Sequence, residues 1–195
     1  MSDDITPEKK AEIALAVRRA LAKHGYERLT TAKIAAEYDK SEAGLYYYFD
    51  TKDEMIAAFL DHAAGQLGDE LAAIGVADPE QRLRVACQQL FLSPGDDGAG
   101  VHVAIMELLS HAPYNETLRE PLLELESATL DTLSAIVRDG VDAGVFRPVD
   151  PEATAAFLLA AADGSTGFHV ALEMEVGDAI ETGWTTYVDS LLADR

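Results

Sequence analysis

The sequence predicts an all-α protein with about nine helices. Apolar residues recur at spacings of three and four, as in Leu83, Cys87 and Leu90, which is the period of an amphipathic helix. No segment shows the sustained alternation of apolar and polar residues that a half-buried strand requires. Start and stop signals divide the chain into segments of helical length.

Three helices are predicted to begin with the same signal. Thr6, Asp78 and Asp150 each precede a proline and a glutamate. The oxygen-bearing side chain can cap the first N–H groups, the proline lacks an N–H that would have no partner, and the glutamate lies at the positive end of the helix dipole. Stop signals stand at Gly25, Gly75 and Gly144. These signals and the periodicity predict helices over residues 7–24, 31–38, 42–49, 52–74, 79–92, 100–111, 116–143, 151–174 and 178–193.

Composition limits the class of protein. The chain has 195 residues, 48% of them hydrophobic, which suffices for a packed core and argues against intrinsic disorder. It has no uncharged apolar stretch of membrane-spanning length, and its first residues are acidic, so we expect a cytoplasmic protein without a membrane partner. A single cysteine, Cys87, excludes an intrachain disulfide. The histidines lack the cysteine or carboxylate spacing of a metal site, so we expect neither metal nor cofactor.

The formal net charge is −20, and it is unevenly distributed. Residues 1–60 carry nine basic and eleven acidic side chains, residues 61–195 carry six basic and 24 acidic ones, and every lysine lies at or before Lys52. So acidic a surface is typical of a protein from a high-salt cytoplasm, such as that of a halophilic archaeon, because molar salt screens the repulsion. The alternative is an ordinarily acidic protein whose charge serves solubility.

A helix-turn-helix pattern lies between Thr30 and Lys52. Thr30 can cap a short helix over 31–38, a polar break follows at 39–41, and a second short helix is predicted over 42–49. Two short helices joined in this way form the motif whose second helix enters the major groove of DNA.

Three consecutive tyrosines lie on the second of these helices. Leu45 and Phe49, four residues apart, are expected to face inward, which leaves Tyr46 and Tyr47 on other faces. Exposed phenol rings can pack on deoxyribose and thymine methyl groups while their hydroxyls bind phosphate. The alternative is that all three are core residues, and Tyr48 fits either role.

This segment is similar to the DNA-binding domain of the tetracycline-repressor (TetR) family of transcriptional regulators. The run Leu-Tyr-x-Tyr-Phe-x-x-Lys from Leu45 to Lys52, with Ile34-Ala35 before it, carries the resemblance. Further matching residues are His24, Gly25, Tyr26, Leu29, Thr30, Thr31, Ser41, Asp53, Glu54 and Met55. The resemblance implies a three-helix helix-turn-helix domain over 1–52 and a helical-bundle domain for effector binding and dimerisation over 53–195.

The resemblance also implies specific DNA contacts. It assigns phosphate contacts to Thr31 and Ser41, base-edge contacts to Glu42, Ala43, Gly44 and Tyr47, and DNA-backbone contacts to Tyr46, Tyr48 and Lys52. The sequence departs from the family pattern at two positions. Lys40 replaces a small apolar turn residue and could add a phosphate contact, and Glu42 replaces a commonly basic or polar residue and can accept a hydrogen bond from cytosine N4.

The last two predicted helices are rich in small and apolar residues, which let helices of two subunits approach closely. The residues expected at a dimer interface are Phe157, Ala161, Gly164, Leu172, Trp184, Tyr187, Val188 and Leu191. The alternative is a single monomeric core. Residues proposed for an effector pocket are Phe91, His102, Met106, Leu109, Tyr114, Phe168 and His169. An aromatic and methionine stripe at helical spacing also fits a plain core.

Two functional hypotheses of different class follow. The first is a homodimeric, sequence-specific regulator of transcription, a repressor as is usual in the family, that binds double-stranded DNA and responds to an unidentified small-molecule effector. The second is a helical carrier or enzyme that has kept the scaffold without DNA binding. A third alternative, suggested by the carboxylate of Glu42, is an adaptor that binds another regulator rather than DNA. The sequence shows no nucleophile motif, phosphate-binding glycine loop or metal cluster, and a carrier would not need its lysines confined to residues 1–52.

Overall fold

A computed structural model describes residues 5–38, 42–66, 68–70, 78–91 and 99–193. Within these ranges the chain is helical and forms no strand, which confirms the all-α prediction. The α-helices are α1 Pro7–His24, α2 Thr31–Tyr38, α3 Glu42–Tyr46, α4 Lys52–Ala63, α5 Pro79–Leu90, α6 Ala99–His111, α7 Glu116–Asp142, α8 Pro151–Ser165 and α9 Gly177–Leu191. A 3₁₀ turn, Ala112–Tyr114, precedes α7, and a π-helix, Thr166–Ala171, follows α8. No helix in the described residues is long and apolar enough to cross a bilayer.

The predicted helix starts are built as expected. The Thr6 hydroxyl accepts the N–H of Lys9, and the Asp150 carboxylate accepts the N–H of Ala153 at 3.0 Å. Gly25 and Gly144 have φ angles of 65° and 68°, the left-handed region that favours glycine after a helix. Gly75 lies outside the described residues.

Three predicted boundaries differ from the structure. The helix predicted over 42–49 ends at Tyr46, because the N–H groups of Tyr48 and Phe49 both turn back to the carbonyl of Leu45. The helix predicted over 151–174 changes to a π-helix after Ser165, where the N–H of Leu172 bonds to the carbonyl of Gly167. The helix predicted from residue 52 to 74 is interrupted after Ala63 by a turn at residues 64–65; residues 66 and 68–70 are helical again, and residues 71–74 lie outside the described residues.

The chain forms two compact units, which we call the first unit (Met1–Gly65 with Asp97–Leu125) and the second unit (Gln66–Asp96 with Glu126–Arg195). The core of the first unit contains Ile13, Val17, Leu21, Ile34, Leu45, Met55, Ile56, Leu60, Leu108, Leu118 and Leu122. The core of the second unit contains Leu83, Leu133, Ile136, Val137, Phe146, Leu158, Val188 and Leu191. The domain boundary predicted after residue 52 divides the chain by function, into DNA binding and effector binding with dimerisation. It does not describe the compact units, and it stays a prediction.

Candidate nucleic-acid interface and apolar groove

Helix α3 is held by one buried side chain and presents its tyrosines to solvent. Leu45 is fully buried in the core of the first unit, beside Ile34 of α2. Tyr46 is 49% exposed and Tyr47 is 67% exposed. Both phenol rings are therefore available to a partner, as the helical spacing predicted.

Tyr46 is oriented by α2. Its hydroxyl donates a hydrogen bond to Oγ1 of Thr31 at 3.1 Å. Thr31 itself is largely buried, so the side chain predicted to touch phosphate lies beneath the phenol of Tyr46. The Thr31 hydroxyl keeps its own proton, which it can still donate.

The other residues predicted to contact DNA lie around the same helix. Glu42 and Ala43 are exposed, and Gly44 and Tyr48 are half-buried. The Tyr47 and Tyr48 rings meet edge to face, with centroids 4.9 Å apart. Together with Gly44 they line a shallow cavity of about 220 Å³ whose other walls are Lys9 and Tyr38. Lys40 and Ser41 lie outside the described residues.

Lys52 is the first residue of α4, and its side chain is half-buried. Its Nζ lies 4.2 Å from the centroid of the Tyr26 ring and 3.4 Å from the carbonyl oxygen of Tyr26. The ammonium therefore sits over the negative face of an aromatic ring. It is also close to the positive N-terminal end of α4, where an anion is favoured.

The environment of Tyr26 was not predicted from the sequence. The Tyr26 side chain is 9% exposed, its N–H donates to the carboxylate of Glu107, and its hydroxyl donates to Oδ1 of Asp53. Asn115 donates from Nδ2 to Oδ2 of the same Asp53 at 2.8 Å. Burial, and then the Asp53 carboxylate, raise the pKa of Tyr26, so the phenol stays protonated and donates. The sequence identified Tyr26 only as the residue that follows Gly25 in the family pattern. Its contacts could not be predicted, since Glu107 and Asn115 are distant in sequence.

A second feature lies between α8 and α9 in the second unit. An open cavity of about 520 Å³, here called the apolar groove, is lined by Phe91, Phe157, Leu158, Ala160, Ala161, Gly164, Ser165, Phe168, Ile180, Gly183, Trp184 and Tyr187. Phe91 stacks on Trp184 with centroids 5.9 Å apart, and Phe157 contacts Tyr187 at 4.7 Å. None of the lining residues is charged, although the chain carries a net charge of −20.

The apolar groove joins residues that the sequence assigned to two sites. It contains five of the eight predicted interface residues, namely Phe157, Ala161, Gly164, Trp184 and Tyr187, and two of the predicted pocket residues, Phe91 and Phe168. Leu172 is exposed but lies outside the lining. Val188 and Leu191 are buried in the core of their own chain, so their side chains are not at a surface where a partner could contact them.

The remaining predicted pocket residues do not line this cavity. His102, Met106 and Leu109 lie on α6 in the first unit, where Leu109 packs against the core. Tyr114 is 90% exposed at the 3₁₀ turn, and Nδ1 of His169 is within hydrogen-bond distance of the carbonyl of Met174. Helical spacing placed these residues on one face without revealing what that face contacts.

The other reactive side chains are potential metal ligands and a single thiol. Among the described residues, no three His, Cys, Asp or Glu side chains are grouped so that they could hold a metal ion. Cys87 is buried in the second unit, and burial raises the pKa of its thiol to about 12. It is therefore a protonated core thiol rather than a reactive thiolate.

Known proteins resemble this chain in both of its parts. The sequence profile of "Bacterial regulatory proteins, tetR family" matches residues 13–59, and that of "BetI-type transcriptional repressor, C-terminal" matches residues 79–193. The nucleoid occlusion factor SlmA of Vibrio cholerae is 30% identical over 164 residues, which cover 80% of this chain and 81% of that protein.

Solved structures give the same result. A TetR transcription regulator from Haloarcula marismortui is 34% identical, with a TM-score of 0.80 over 96% of this chain and 100% of that one. A putative transcriptional regulator from Saccharomonospora viridis, solved in complex with choline, shares the fold with a TM-score of 0.80 at 22% identity, over 97% of this chain and 100% of that one. With both parts of the sequence matched by family profiles, the chain belongs to the TetR family of transcriptional regulators.

Proposed function

We propose that this protein binds duplex DNA sequence-specifically as a homodimer and represses transcription until a small-molecule effector changes its affinity for DNA. The observation that carries the proposal is the exposure of Tyr46 and Tyr47 on a helix anchored by the buried Leu45. Unlike a single exposed aromatic residue, two adjacent exposed rings form an apolar patch of the kind that marks an interaction surface. A major groove offers sugar rings, thymine methyl groups and phosphates that suit a phenol.

The exposed side chains of α3 suggest how the protein recognises base pairs in the major groove of DNA. In this proposal Tyr47 packs on a thymine methyl group, and Glu42 accepts a hydrogen bond from cytosine N4. Lys52 contributes a phosphate contact and the ring of Tyr46 packs on the DNA backbone, and both contacts fix the register of the helix without reading sequence. Ala43 and Gly44 present little hydrogen-bonding capacity, so part of the specificity comes from the shape of the DNA.

The homodimer is formed through the apolar groove. Two helix-turn-helix motifs must be held about 34–36 Å apart to read successive half-sites, and a twofold partner supplies that spacing. Two chains with a net charge of −20 repel each other, and an uncharged contact surface avoids bringing like charges close together. The groove is such a surface, and its aromatic rings and small residues suit close helix packing.

The effector binds in the second unit and changes the population of the DNA-binding conformer. The relative from Saccharomonospora viridis was solved with choline, so choline is the first probe we would use. Trp184 is the only tryptophan in the chain and stacks on Phe91, so its fluorescence reports changes at the apolar groove. A change in Trp184 emission that accompanies release of DNA would support this part of the proposal.

The acidic surface of this protein suits a cytoplasm of high ionic strength. Counterion release loses its contribution to DNA affinity as salt rises, with a slope of about −0.9 per neutralised phosphate. Binding under such conditions must therefore use apolar tyrosine contacts and dimer geometry more than lysine charge.

The experiment that tests DNA binding is selection of duplexes from a random-sequence pool by the wild-type protein, followed by mobility shift of the enriched duplex. Tyr47→Ala should weaken the shift by at least tenfold, because it removes an apolar base contact. Tyr114→Ala is the matched control, since Tyr114 is an exposed tyrosine outside α3, and it should bind as wild type. A protein that enriches no duplex but binds a small molecule would instead be the carrier of the alternative hypothesis.

A further inference from the structure

Tyr26 contacts both Lys52 and Asp53 at the start of α4, yet it has no role in the DNA contacts assigned above. We propose that Tyr26 is a positioning residue for DNA binding: its ring and carbonyl hold the Lys52 ammonium where it meets a phosphate, and Glu107, Asp53 and Asn115 hold Tyr26. The inference rests on the proposed DNA-binding function and adds residues of α6 and the start of α7 to it.

The Tyr26 ring limits the freedom of Lys52. A lysine side chain has many rotamers, and ordering it on DNA costs conformational entropy. Here Nζ already lies 4.2 Å from the ring centroid and 3.4 Å from the Tyr26 carbonyl oxygen. An ammonium has three N–H donors, so bonding the carbonyl leaves two for phosphate oxygens. Without the ring and the carbonyl, the ammonium would no longer be held at the phosphate, and that phosphate would keep its counterions.

Tyr26 is itself fixed at three points. The Glu107 carboxylate accepts its backbone N–H, the Asp53 carboxylate accepts its hydroxyl at 3.4 Å, and its ring contacts the His111 ring with centroids 4.9 Å apart. Asn115 holds the other oxygen of Asp53 at 2.8 Å. Glu107 and His111 belong to α6 and Asn115 directly precedes α7, so Tyr26 connects Lys52 to both of these elements.

The experiment measures how DNA affinity depends on salt. The probe is the duplex enriched from the random-sequence pool, titrated by fluorescence anisotropy over a series of KCl concentrations. Lys52→Gln should make the slope of log K against log[KCl] shallower by about 0.9 for each phosphate that the protein no longer neutralises. Tyr26→Met, which keeps a large apolar side chain but removes the aromatic face, should give the same shallower slope. Tyr26→Phe keeps the ring, the carbonyl and the backbone bond to Glu107 and loses only the long 3.4 Å bond to Asp53, so it should keep the wild-type slope.

A purely structural role for Tyr26 would lower stability without changing the slope. A wild-type slope in Tyr26→Met therefore overturns the inference, whatever the affinity. The double variant Tyr26→Met/Lys52→Gln should have a slope no shallower than Lys52→Gln, and a further decrease contradicts the shared contact. If Tyr26→Met is unfolded by circular dichroism, Glu107→Ala replaces it, and a wild-type slope there overturns the inference equally.

Failure of the proposed function gives a different result. If no duplex is enriched, or if Tyr47→Ala binds as tightly as wild type, DNA recognition through α3 fails and the inference falls with it. If Tyr47→Ala weakens binding while Lys52→Gln and Tyr26→Met keep the wild-type slope, DNA recognition stands and only the inference is overturned.

Discussion

The hydroxyl of Tyr46 donates a hydrogen bond to Oγ1 of Thr31 across 3.1 Å, which joins the last residue of α3 to the first residue of α2. Two side chains that the sequence assigned to separate DNA contacts are thus hydrogen-bonded to each other. The bond fixes the direction of the phenol before any DNA is bound, and it satisfies a hydroxyl that is largely buried.

Tyr46→Phe removes this hydrogen bond and leaves the Thr31 hydroxyl without its donor. We expect the free energy of unfolding to fall by about 0.5–1.5 kcal/mol, the usual net value of one such bond. Urea unfolding followed by circular dichroism measures the loss, and Tyr114→Phe, at a residue 90% exposed, is the control that should leave stability unchanged. Adding Thr31→Val to Tyr46→Phe should cost less than Thr31→Val does alone. Strictly additive losses would contradict the coupling.

Gly140→Ala tests the packing of the second unit. A Cβ at Gly140 would overlap Cδ2 and Cε2 of Phe146, whose ring is 2% exposed and has little room to move. We expect a loss of about 1–3 kcal/mol in the free energy of unfolding, although alanine is the better helix former. The double variant Gly140→Ala/Phe146→Leu should lose less than the sum of the two single variants. A gain in stability from Gly140→Ala alone would show that the Phe146 ring moves to accommodate the added methyl group.

Signals within a few residues predicted the fold well. Thr6 and Gly25 bound α1 as expected, because capping and left-handed φ are decided by adjacent backbone groups. The exposure of Tyr46 and Tyr47 followed from helical spacing around Leu45.

Contacts between distant segments could not be predicted in this way. Asn115 and Asp53 are 62 residues apart, and no local pattern pairs them. Spacing along α6 placed Met106 and Leu109 on a partly apolar face, but the same spacing fits a pocket and a core, and Leu109 packs on the core. Phe91 and Phe157 were assigned to different sites because their common cavity depends on how α8 and α9 pack.

Glu126→Gln should change how stability depends on pH. Burial, and then the charge of Asp163, raise the pKa of Glu126 from 4.5 to about 7. Below about 4.5 the carboxyl is protonated in both the folded and the unfolded chain and contributes nothing. As pH rises towards about 7, the unfolded chain loses this proton first, so wild-type stability falls relative to that of the variant. The difference should level off above that pH.

Urea unfolding of wild type and Glu126→Gln at pH values from about 5 to about 8, at one KCl concentration, measures this difference. Glu124→Gln, at an exposed carboxylate on the same helix, controls for the loss of one surface charge. A difference between wild type and Glu126→Gln that stays constant with pH would show that Glu126 titrates alike in both states.

The midpoint of thermal unfolding should rise between low and multimolar KCl. The Debye length falls from about 10 Å at 0.1 M salt to about 3 Å at 1 M, so the repulsion among surface carboxylates is screened. The ion pairs of Arg84 with Glu80 and Asp189 are screened as well, but pairs that are partly exposed to solvent contribute little. An unchanged or lower midpoint at high KCl would favour an ordinary acidic protein whose charge serves solubility.

Gly183→Glu should dissociate the proposed dimer while preserving the fold of each chain. A Cβ at Gly183 meets no atom within 4 Å of its own chain, and glutamate is a better former of helix interiors than glycine, so the protomer should be no less stable. At the apolar groove, however, each subunit would bring an unpaired carboxylate into an uncharged surface, which is unfavourable to bury. Sedimentation velocity in molar KCl should therefore give a dimer for wild type and a monomer for Gly183→Glu.

Thr182→Glu is the matched control for this variant, because it adds the same charge one residue earlier, on an exposed side of α9 that does not line the groove. It should stay dimeric and bind the enriched duplex as wild type does. Gly183→Glu should bind that duplex at least tenfold more weakly, because two half-sites are then bound by separate chains and the effective concentration of the second motif is lost. If Gly183→Glu remains dimeric and binds DNA normally, the subunits meet elsewhere, and the apolar groove would instead be open to the effector.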